Sequence, residues 1–331
     1  MAATSLGYTP NGAARALKSH RHGAIAVLMF GLGGSAEPLT FYSEAVVAAA
    51  EEALRSDHHV VLLQAHGRSS DPADPARKGA LSHVLAAARV DGAVCIGTQV
   101  TADDVRVMER RGFPFIFIGK RVLPGVTVPY VATDYLGGGR LAVDHLLGLG
   151  HRCVAAAVIP SDREQPWIAA RLTGHAVAIS ETPGASGPVV QVPPVSSENA
   201  GVARKWLADG ITAVFATERN TAARVLGLCQ LAGVQIPAEL AVVGFDDHTD
   251  AVLVQPPLTV VKQALASLGT LAARTLLARL DGAPHEPVSA TLPTSLVVRE
   301  SCGAHAAQAA SVSTTVGPLM ALNGAATHGG T

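Results

Sequence analysis

Cysteine is scarce and scattered in this chain of 331 residues. The four cysteines form no CxxC pair, so neither a zinc site nor a dithiol redox motif is indicated. They are Cys95, Cys153, Cys229 and Cys302. We expect them to be small, buried side chains in a reducing cytosol, as isolated cysteines usually are.

Charge and aromatic rings are also in short supply. Charged residues make up 15% of the chain, with 25 basic and 26 acidic residues, so the basic excess typical of a DNA-binding domain is missing. Aromatic residues make up 4%, which argues against a stacking platform for single-stranded nucleic acid. Apolar residues make up 48%, so a large core can form, and the length suits one large or two ordinary domains.

No apolar run approaches the roughly 20 residues that a transmembrane helix needs. The segment at 18–36 imitates a secretory signal peptide, because basic residues precede AIAVLMFGLGG and small residues follow it. The alternative, a basic linker that leads into the first core strand, is favoured because the residues before it have a helical pattern of their own.

Catalytic motifs are absent too. The string GLGGSA at 31–36 fits G-x-G-x-x-A, but a Glu-Pro pair follows where a dinucleotide-binding helix would start, and the second strand ends at Gln64 rather than at an acid. No GxSxG, P-loop, HExxH or kinase motif occurs. His145 and His151 lack HExxH spacing and fit the end of a helix better than a metal site. We therefore expect no enzyme activity, no cofactor and no metal.

What the chain does contain is an alternation of strands and helices from residue 24 onwards. Short, uniformly apolar runs are typical of strands buried on both faces, and they alternate with segments of helical period. This order predicts parallel sheets with right-handed crossovers, and its restart after residue 130 predicts two doubly wound lobes. The predicted strands are Ile25–Phe30, Val60–Gln64, Gly92–Ile96, Phe115–Ile118, Cys153–Ile159, Ala213–Ala216, Leu240–Phe245, Val260–Gln263 and Pro293–Glu300. The predicted helices are Ser43–Arg55, Gly79–Ala88, Ala102–Arg111, Gly138–Leu149, Ala200–Ala208, Thr221–Ala232 and Ala266–Leu280.

The segment Val242–Gln263, VVGFDDHTDAVLVQPPLTVVKQ, carries the most information. A buried strand ends in Asp246 and Asp247, and open α/β sheets bind ligands at the carboxyl ends of their strands. Pro256 and Pro257 then force a change of direction. The segment closely resembles its counterpart in the LacI/GalR family of bacterial transcriptional regulators, in which a small molecule bound to a sensor core changes the affinity for DNA.

Three further segments resemble the same family, so that the resemblance extends over residues 2–302. LGYTPNGAARALKS resembles the end of the helix-turn-helix headpiece and its hinge helix, VATDYLGGGRLAVDHLLGLGHRCVAAAVI the entry into the second lobe, and LPTSLVVRESC the last strand. The resemblance implies an α/β fold of two doubly wound parallel-sheet lobes, like a type I periplasmic binding protein, joined by three crossover segments. The implied domains are a headpiece remnant with hinge helix at 1–22, an N-terminal lobe at 23–130 and 262–290, a C-terminal lobe at 131–261 and 291–302, and, from its composition, a disordered tail at 303–331.

The hinge helix of this family folds on operator DNA and enters the minor groove. Thr9 and Pro10 form a favoured helix start, and Leu17 falls where the family places a leucine between base pairs. The hinge positions implied to contact DNA are Asn11, Ala14, Arg15, Leu17 and Lys18. Gly12 departs from the pattern and weakens the helix by ~0.5–1 kcal/mol relative to alanine. Because the helix-turn-helix itself is missing, we expect either a misplaced start or a natural or artificial sensor core.

The resemblance also implies an effector site. Phe41 and Tyr42 fall where the family places aromatic residues over the ligand, and Arg171 falls at an arginine that binds effector hydroxyls or carboxylates. Asp247, alone or with Asp246, falls at the effector-binding acid. The implied effector-binding residues are Phe41, Tyr42, Lys120, Arg171, Glu218, Asp246 and Asp247. An acid and an arginine beside aromatic rings suit a polyhydroxylated ligand.

Two departures from the family bear on that ligand. Glu218 and Arg219 replace an Asn-Asp pair that is common after the equivalent strand, and Gly119 and Lys120 stand where some members carry a sugar-binding acid. Because Lys120 and Arg219 add positive charge, an acidic or phosphorylated sugar remains an open alternative.

We therefore expect a cytoplasmic, effector-responsive, DNA-binding transcriptional regulator that acts as an allosteric repressor. Its expected partners are palindromic operator DNA, a sugar-like effector between the two lobes and a second copy in a homodimer, with no membrane. Two alternatives remain open. One is the solute-binding receptor of a sugar transporter, which shares the fold, and the other is a headpiece-free sensor that forms mixed dimers with full-length relatives.

Overall fold

The structure, a computed structural model, describes residues 21–31, 37–65, 79–283 and 288–304. The chain divides into two compact units. Unit 1 runs to Asp134 and resumes with Gln263–Pro293, whereas unit 2 contains Tyr135–Lys262 and the chain from Thr294. The chain thus passes from one unit to the other three times, as predicted.

The described helices and strands alternate along the chain. Unit 1 begins with β1 (Ala24–Phe30), α1 (Glu37–Arg55), β2 (His59–Gln64), α2 (Ala80–Ala87), β3 (Gly92–Gly97), α3 (Ala102–Arg110), β4 (Phe115–Ile118) and β5 (Tyr130–Thr133). Unit 2 continues with α4 (Tyr135–Gly148), β6 (Val154–Val158), α5 (Pro166–Glu181), β7 (Val189–Gln191), α6 (Val202–Ala208), β8 (Ala213–Ala216), α7 (Arg219–Ala232), β9 (Ala241–Phe245), α8 (Asp250–Leu253) and β10 (Thr259–Lys262). Then α9 (Leu265–Leu280) and β11 (Ser289–Leu292) return to unit 1, and β12 (Ser295–Val297) belongs to unit 2.

The sheet of unit 1 is parallel, with the strand order β11-β5-β4-β3-β1-β2. Successive side chains of a strand point to opposite faces, and in β1 both sets are apolar. Ala26 and Leu28 pack with α2 and α3, whereas Ile25 and Val27 pack with α1 and α9. Burial on both faces explains why the strand has no polar alternation.

The sheet of unit 2 has the order β12-β10-β9-β8-β6-β7. All its pairs are parallel except the edge pair β10–β12, which is antiparallel. Helices α4 and α5 cover one face together with Phe215 and Val243, and α6 and α7 cover the other with Val214 and Val242. The α/β fold of two doubly wound lobes is therefore confirmed.

Several predicted elements need correction. The predicted last strand, Pro293–Glu300, is reduced to β12 and is followed by a 3₁₀ turn at Glu300–Cys302. Helix α5 was not predicted, because its buried face contains Arg171 and Gly174 as well as apolar residues, so no hydrophobic stripe marks it. The short strands β5, β7 and β11 were not predicted either, since three or four residues carry little periodicity.

The implied domain limits at residues 130 and 290 fall within β5 and β11, both of which pair in the sheet of unit 1. The hinge-helix residues and the tail from residue 305 lie outside the described residues. Among the helices that the structure describes, none is long and apolar enough to cross a membrane. Of the four cysteines, three are buried and Cys153 is partly exposed.

Candidate functional site

Polar groups collect at the carboxyl-terminal edge of the unit 2 sheet. Thr217 follows β8, and Asp246 and Asp247 follow β9. These residues lie at the same edge because β8 and β9 are parallel neighbours. The buried hydroxyl of Thr217 donates to the carbonyl oxygen of Ala157 over 2.8 Å. This bond connects the segment after β8 with β6 and fixes the main chain at the edge.

Arg171 of α5 reaches the same edge and is almost completely buried, with 2% of its surface exposed. Its Nη1 donates to the carbonyl oxygen of Thr217 over 2.6 Å. The guanidinium carbon lies 3.5 Å from the ring centroid of Phe245 and 5.0 Å from that of Tyr135, and both rings stabilise the buried cation. Among the described residues Nε has no hydrogen-bond partner. An unpaired buried donor costs about 1–3 kcal/mol, so this nitrogen is suited to a ligand oxygen.

Two glycines allow α4 and α5 to pack closely enough to place Arg171 there. A Cβ on Gly139 would lie 2.3 Å from the carbonyl oxygen of Arg171, and a Cβ on Gly174 would lie 2.1 Å from that of Leu136. Any larger residue would push the helices apart. The two glycines therefore set the distance between α4 and α5, and with it the position of Arg171 at the sheet edge.

Asp246 lies beside Arg171, with its Oδ2 3.9 Å from Nη2 of the arginine, and it is 8% exposed. Its backbone has a φ of 76°, in the left-handed region that non-glycine residues rarely adopt. The amide of Asp246 donates to the carbonyl oxygen of Val261 over 2.8 Å, which holds this turn at the strand end. Strained backbone of this kind clusters at binding sites.

Asp247 has a different environment. Its Oδ1 accepts a hydrogen bond from Nη2 of Arg299 over 2.6 Å, and its Oδ2 lies 3.6 Å from Nζ of Lys262. Arg299 also donates from Nη1 to the carbonyl oxygen of Leu258 over 2.8 Å. Asp247 thus faces two cations from β10 and the last segment of the chain, whereas Asp246 faces Arg171.

Glu218 and Arg219 begin α7, with Glu218 at the N-cap position. Arg219 forms an ion pair with Asp250 of α8, with Nε 3.0 Å from Oδ2. The positive charge of Arg219 is therefore balanced within unit 2.

The remaining implied effector residues belong to unit 1. Phe41 and Tyr42 lie in α1 and are half-buried, with ring centroids 4.9 Å apart in an edge-to-face arrangement. Tyr42 packs against the core face formed by α1 and α9. Lys120 follows β4 and is exposed. Binding of an effector by these residues stays a prediction.

Sequence reasoning missed several residues of these edges. The rings of Phe245 and Tyr135 lie against the guanidinium of Arg171, and Arg299 pairs with Asp247. An arginine two residues after β12 carries no local signal, because its partner lies 52 residues away. Arg121, next to Lys120, was missed as well. Its Nε and Nη2 both donate to the carbonyl oxygen of Gly97.

The two histidines considered for a metal have other contacts. His145 Nε2 lies 3.3 Å from Sγ of Cys302, and His151 Nδ1 lies 3.0 Å from Oγ1 of Thr212. Burial lowers the pKa of both imidazoles. Within the part of the chain that the structure describes, no group of three His, Cys, Asp or Glu side chains could hold a metal ion.

Known proteins are similar to this chain in sequence. A family model described as a periplasmic binding protein-like domain matches residues 143–302. The HTH-type transcriptional regulator CelR of Thermobifida fusca is 32% identical over 305 residues, which cover 89% of this chain and 86% of CelR. The ribose operon repressor of Escherichia coli K12 is 27% identical over 280 residues, covering 83% and 81% of the two chains.

Solved structures of transcriptional regulators are similar to this chain as well. A complex of CelR with cellobiose matches with a TM-score of 0.68 and 28% identity, covering 91% of this chain and 88% of that one. A LacI family regulator from Enterococcus faecalis with bound ribose matches with a TM-score of 0.65, 84% and 98% coverage and 22% identity, which supports the fold alone. These relatives are transcriptional regulators rather than enzymes or transport receptors. The chain belongs to the LacI family of HTH-type transcriptional regulators, as its sequence motifs predicted.

Proposed function

We propose that this regulator binds a sugar-like effector through Arg171 and Asp246 at the carboxyl-terminal edge of unit 2. The proposal rests on the buried guanidinium of Arg171, which lies 3.9 Å from the carboxylate of Asp246 and whose Nε has no hydrogen-bond partner among the described residues. A donor and an acceptor side by side match the vicinal hydroxyls of a sugar, each of which both donates and accepts. Asp247, Glu218, Phe41, Tyr42 and Lys120 complete the proposed set of effector-binding residues.

The chemistry of related proteins supports a sugar as the effector class. The CelR structure contains cellobiose, and another relative is named a ribose operon repressor. We propose no enzyme activity for this chain, because the similar proteins are transcriptional regulators.

The output we propose is repression of transcription by a cytoplasmic homodimer that binds palindromic operator DNA. The implied hinge residues, from Asn11 to Lys18, would contact the operator. Effector binding and operator binding are then coupled, and the coupling is reciprocal: each changes the affinity for the other by the same factor. The domain division at 1–22, 23–130 with 262–290, 131–261 with 291–302, and 303–331 is proposed with it.

Isothermal titration calorimetry with cellobiose, ribose and other neutral sugars tests the proposal. We expect one of these sugars to bind the wild type, and Asp246→Asn to weaken it about tenfold to a hundredfold, because a hydrogen bond to a charged group contributes ~1.5–3 kcal/mol. Asp209→Asn is the matched control, since it removes an exposed carboxylate that pairs with Lys205 in α6 and its loop. Equal affinities of the wild type and Asp246→Asn, or no binding of any sugar, would contradict the proposal.

A further inference from the structure

Arg121 lies just after β4, at the carboxyl-terminal edge of the unit 1 sheet. Its guanidinium holds the end of the neighbouring strand, because Nε and Nη2 donate to the carbonyl oxygen of Gly97 over 3.2 and 2.5 Å. Nη1 donates to the carbonyl oxygen of Lys120 over 2.9 Å. The guanidinium carbon is 5.9 Å from the ring centroid of Phe117. The cation is therefore held in one orientation, unlike a freely solvated surface arginine.

A glycine two positions before Arg121 leaves space for this guanidinium beside the main chain. Gly119 has a φ of 93°, and a Cβ at this position would lie 2.8 Å from Nη1 of Arg121. Gly97, which accepts the two hydrogen bonds, has a φ of 96°. Gly97 and Gly119, at the ends of two adjacent strands, thus form the main-chain surroundings of the Arg121 side chain.

The guanidinium of Arg121 can donate two further hydrogen bonds. A guanidinium has five N–H groups, and the three bonds to main-chain oxygens leave one N–H on each terminal nitrogen. A pair of N–H groups on the two terminal nitrogens matches the two oxygens of a carboxylate or phosphate. This fork is the arrangement that a single anionic group binds best.

The charge of Arg121 has no counter-charge in the described part of the chain. Among the residues that the structure describes, no carboxylate lies within ion-pair distance of Arg121 or of the exposed Lys120. By contrast, Arg219 pairs with Asp250, and Arg299 pairs with Asp247. Within the described ranges, two adjacent positive charges therefore have no counter-charge at the edge where doubly wound sheets bind ligands.

We propose that Arg121, assisted by Lys120, binds the carboxylate or phosphate of an acidic or phosphorylated sugar at this edge of the unit 1 sheet. This inference rests on the proposed function, because it names the class of sugar that the regulator senses. Arg121 is the specificity-determining residue: it selects a charged sugar over its neutral counterpart. The positive charge that sequence reasoning assigned to Lys120 and Arg219 comes from Arg121 and Lys120 instead.

Calorimetry with matched ligands tests this selectivity. The probes are cellobiose, cellobionate and 6-phosphocellobiose, and glucose, glucuronate and glucose 6-phosphate. We expect one charged probe to bind at least about tenfold more tightly than its neutral partner, as a charge-assisted hydrogen bond predicts. Comparison of the carboxylate and phosphate probes distinguishes a sugar acid from a sugar phosphate. Added salt should weaken the charged probe and leave the neutral one unchanged.

Substitutions assign the selectivity to a residue. Arg121→Gln should abolish the preference for the charged probe, because the anion contact is lost. It should change the affinity for the neutral probe by less than about threefold, because a neutral sugar offers Arg121 no anionic group. Arg121→Lys keeps the charge without the fork, so it should restore part of the preference. Lys120→Gln should reduce the preference and leaves the bonds to Gly97 intact. Arg106→Gln, which removes an exposed cation of α3 that pairs with Asp103, is the matched control.

The outcomes separate the two proposals. Binding of a neutral sugar with no preference for its charged analogue, or an unchanged preference in Arg121→Gln, overturns the role of Arg121 and leaves the proposed function standing. Failure of all the sugars to bind overturns both. If Arg121→Gln does not fold, Arg121→Lys and Lys120→Gln decide the question, and an unchanged preference in both counts against the proposal.

Discussion

The contact between α4 and α5 permits a sharp test, because Gly139 and Gly148 lie in the same helix in opposite surroundings. A Cβ on Gly139 would lie 2.3 Å from the carbonyl oxygen and 2.8 Å from the Cα of Arg171, whereas a Cβ on Gly148 would meet nothing within 4 Å. To reach ordinary contact at 3.4 Å, the new Cβ of Gly139→Ala must move away by about 1.1 Å. The obstacle is main chain, so the helices themselves must separate.

The magnitudes follow from these two environments. Overpacking of this kind costs ~1–3 kcal/mol, and the better helix propensity of alanine returns ~0.5–1 kcal/mol at most. We expect Gly139→Ala to destabilise unit 2 by about 1–2 kcal/mol and Gly148→Ala to leave the stability unchanged or to raise it by up to ~1 kcal/mol. Because Arg171 moves with α5, Gly139→Ala should also weaken effector binding.

Urea unfolding followed by circular dichroism, with the three proteins side by side, measures the difference. The denaturation midpoint should fall for Gly139→Ala and should not fall for Gly148→Ala. Equal midpoints for the two variants would refute the argument that the helices touch through Gly139. A lower midpoint for both would show that helix α4 resists alanine for a reason other than crowding.

Two further predictions concern buried polar groups in unit 2. Arg299→Gln removes one of the two cations that the described residues place beside the carboxylate of Asp247, which is 13% exposed. It should lower the free energy of unfolding by ~1–3 kcal/mol, whereas the surface substitution Arg106→Gln should not. An equal effect of the two substitutions in urea unfolding would contradict this. Burial lowers the pKa of His175, whose Nε2 lies 2.8 Å from the carbonyl oxygen of Val154. A lowered folded-state pKa means that the unfolded state binds the proton more readily, so stability should be full above the unfolded pKa of about 6.5 and decline as the pH falls below it. Urea titrations between about pH 5 and 8 check the sign, and His175→Gln should reduce the slope.

The candidate site shows how far local pattern extends. The acids after β9 were predicted from an apolar strand followed by Asp246 and Asp247, because strand and acids are adjacent in the chain. Which acid faces the arginine was not predicted, since it depends on a left-handed backbone at Asp246 and on Arg299, which follows Asp247 by 52 residues. Helix α5 was not predicted, because its buried face is polar where Arg171 lies and no hydrophobic periodicity indicates a buried arginine.

The sequence by itself determined the fold class and the family, and it placed the proposed ligand-binding acids at a strand end. These features depend on apolar runs and motifs that are contiguous in the chain. The tertiary structure alone decided how the charges are paired. Arg219 is neutralised by Asp250, Asp247 by Arg299 and Lys262, and Arg121 is oriented by Gly97. Those contacts join residues that are 15 to 52 positions apart, and only the packing of strands and helices brings such residues within a few ångströms.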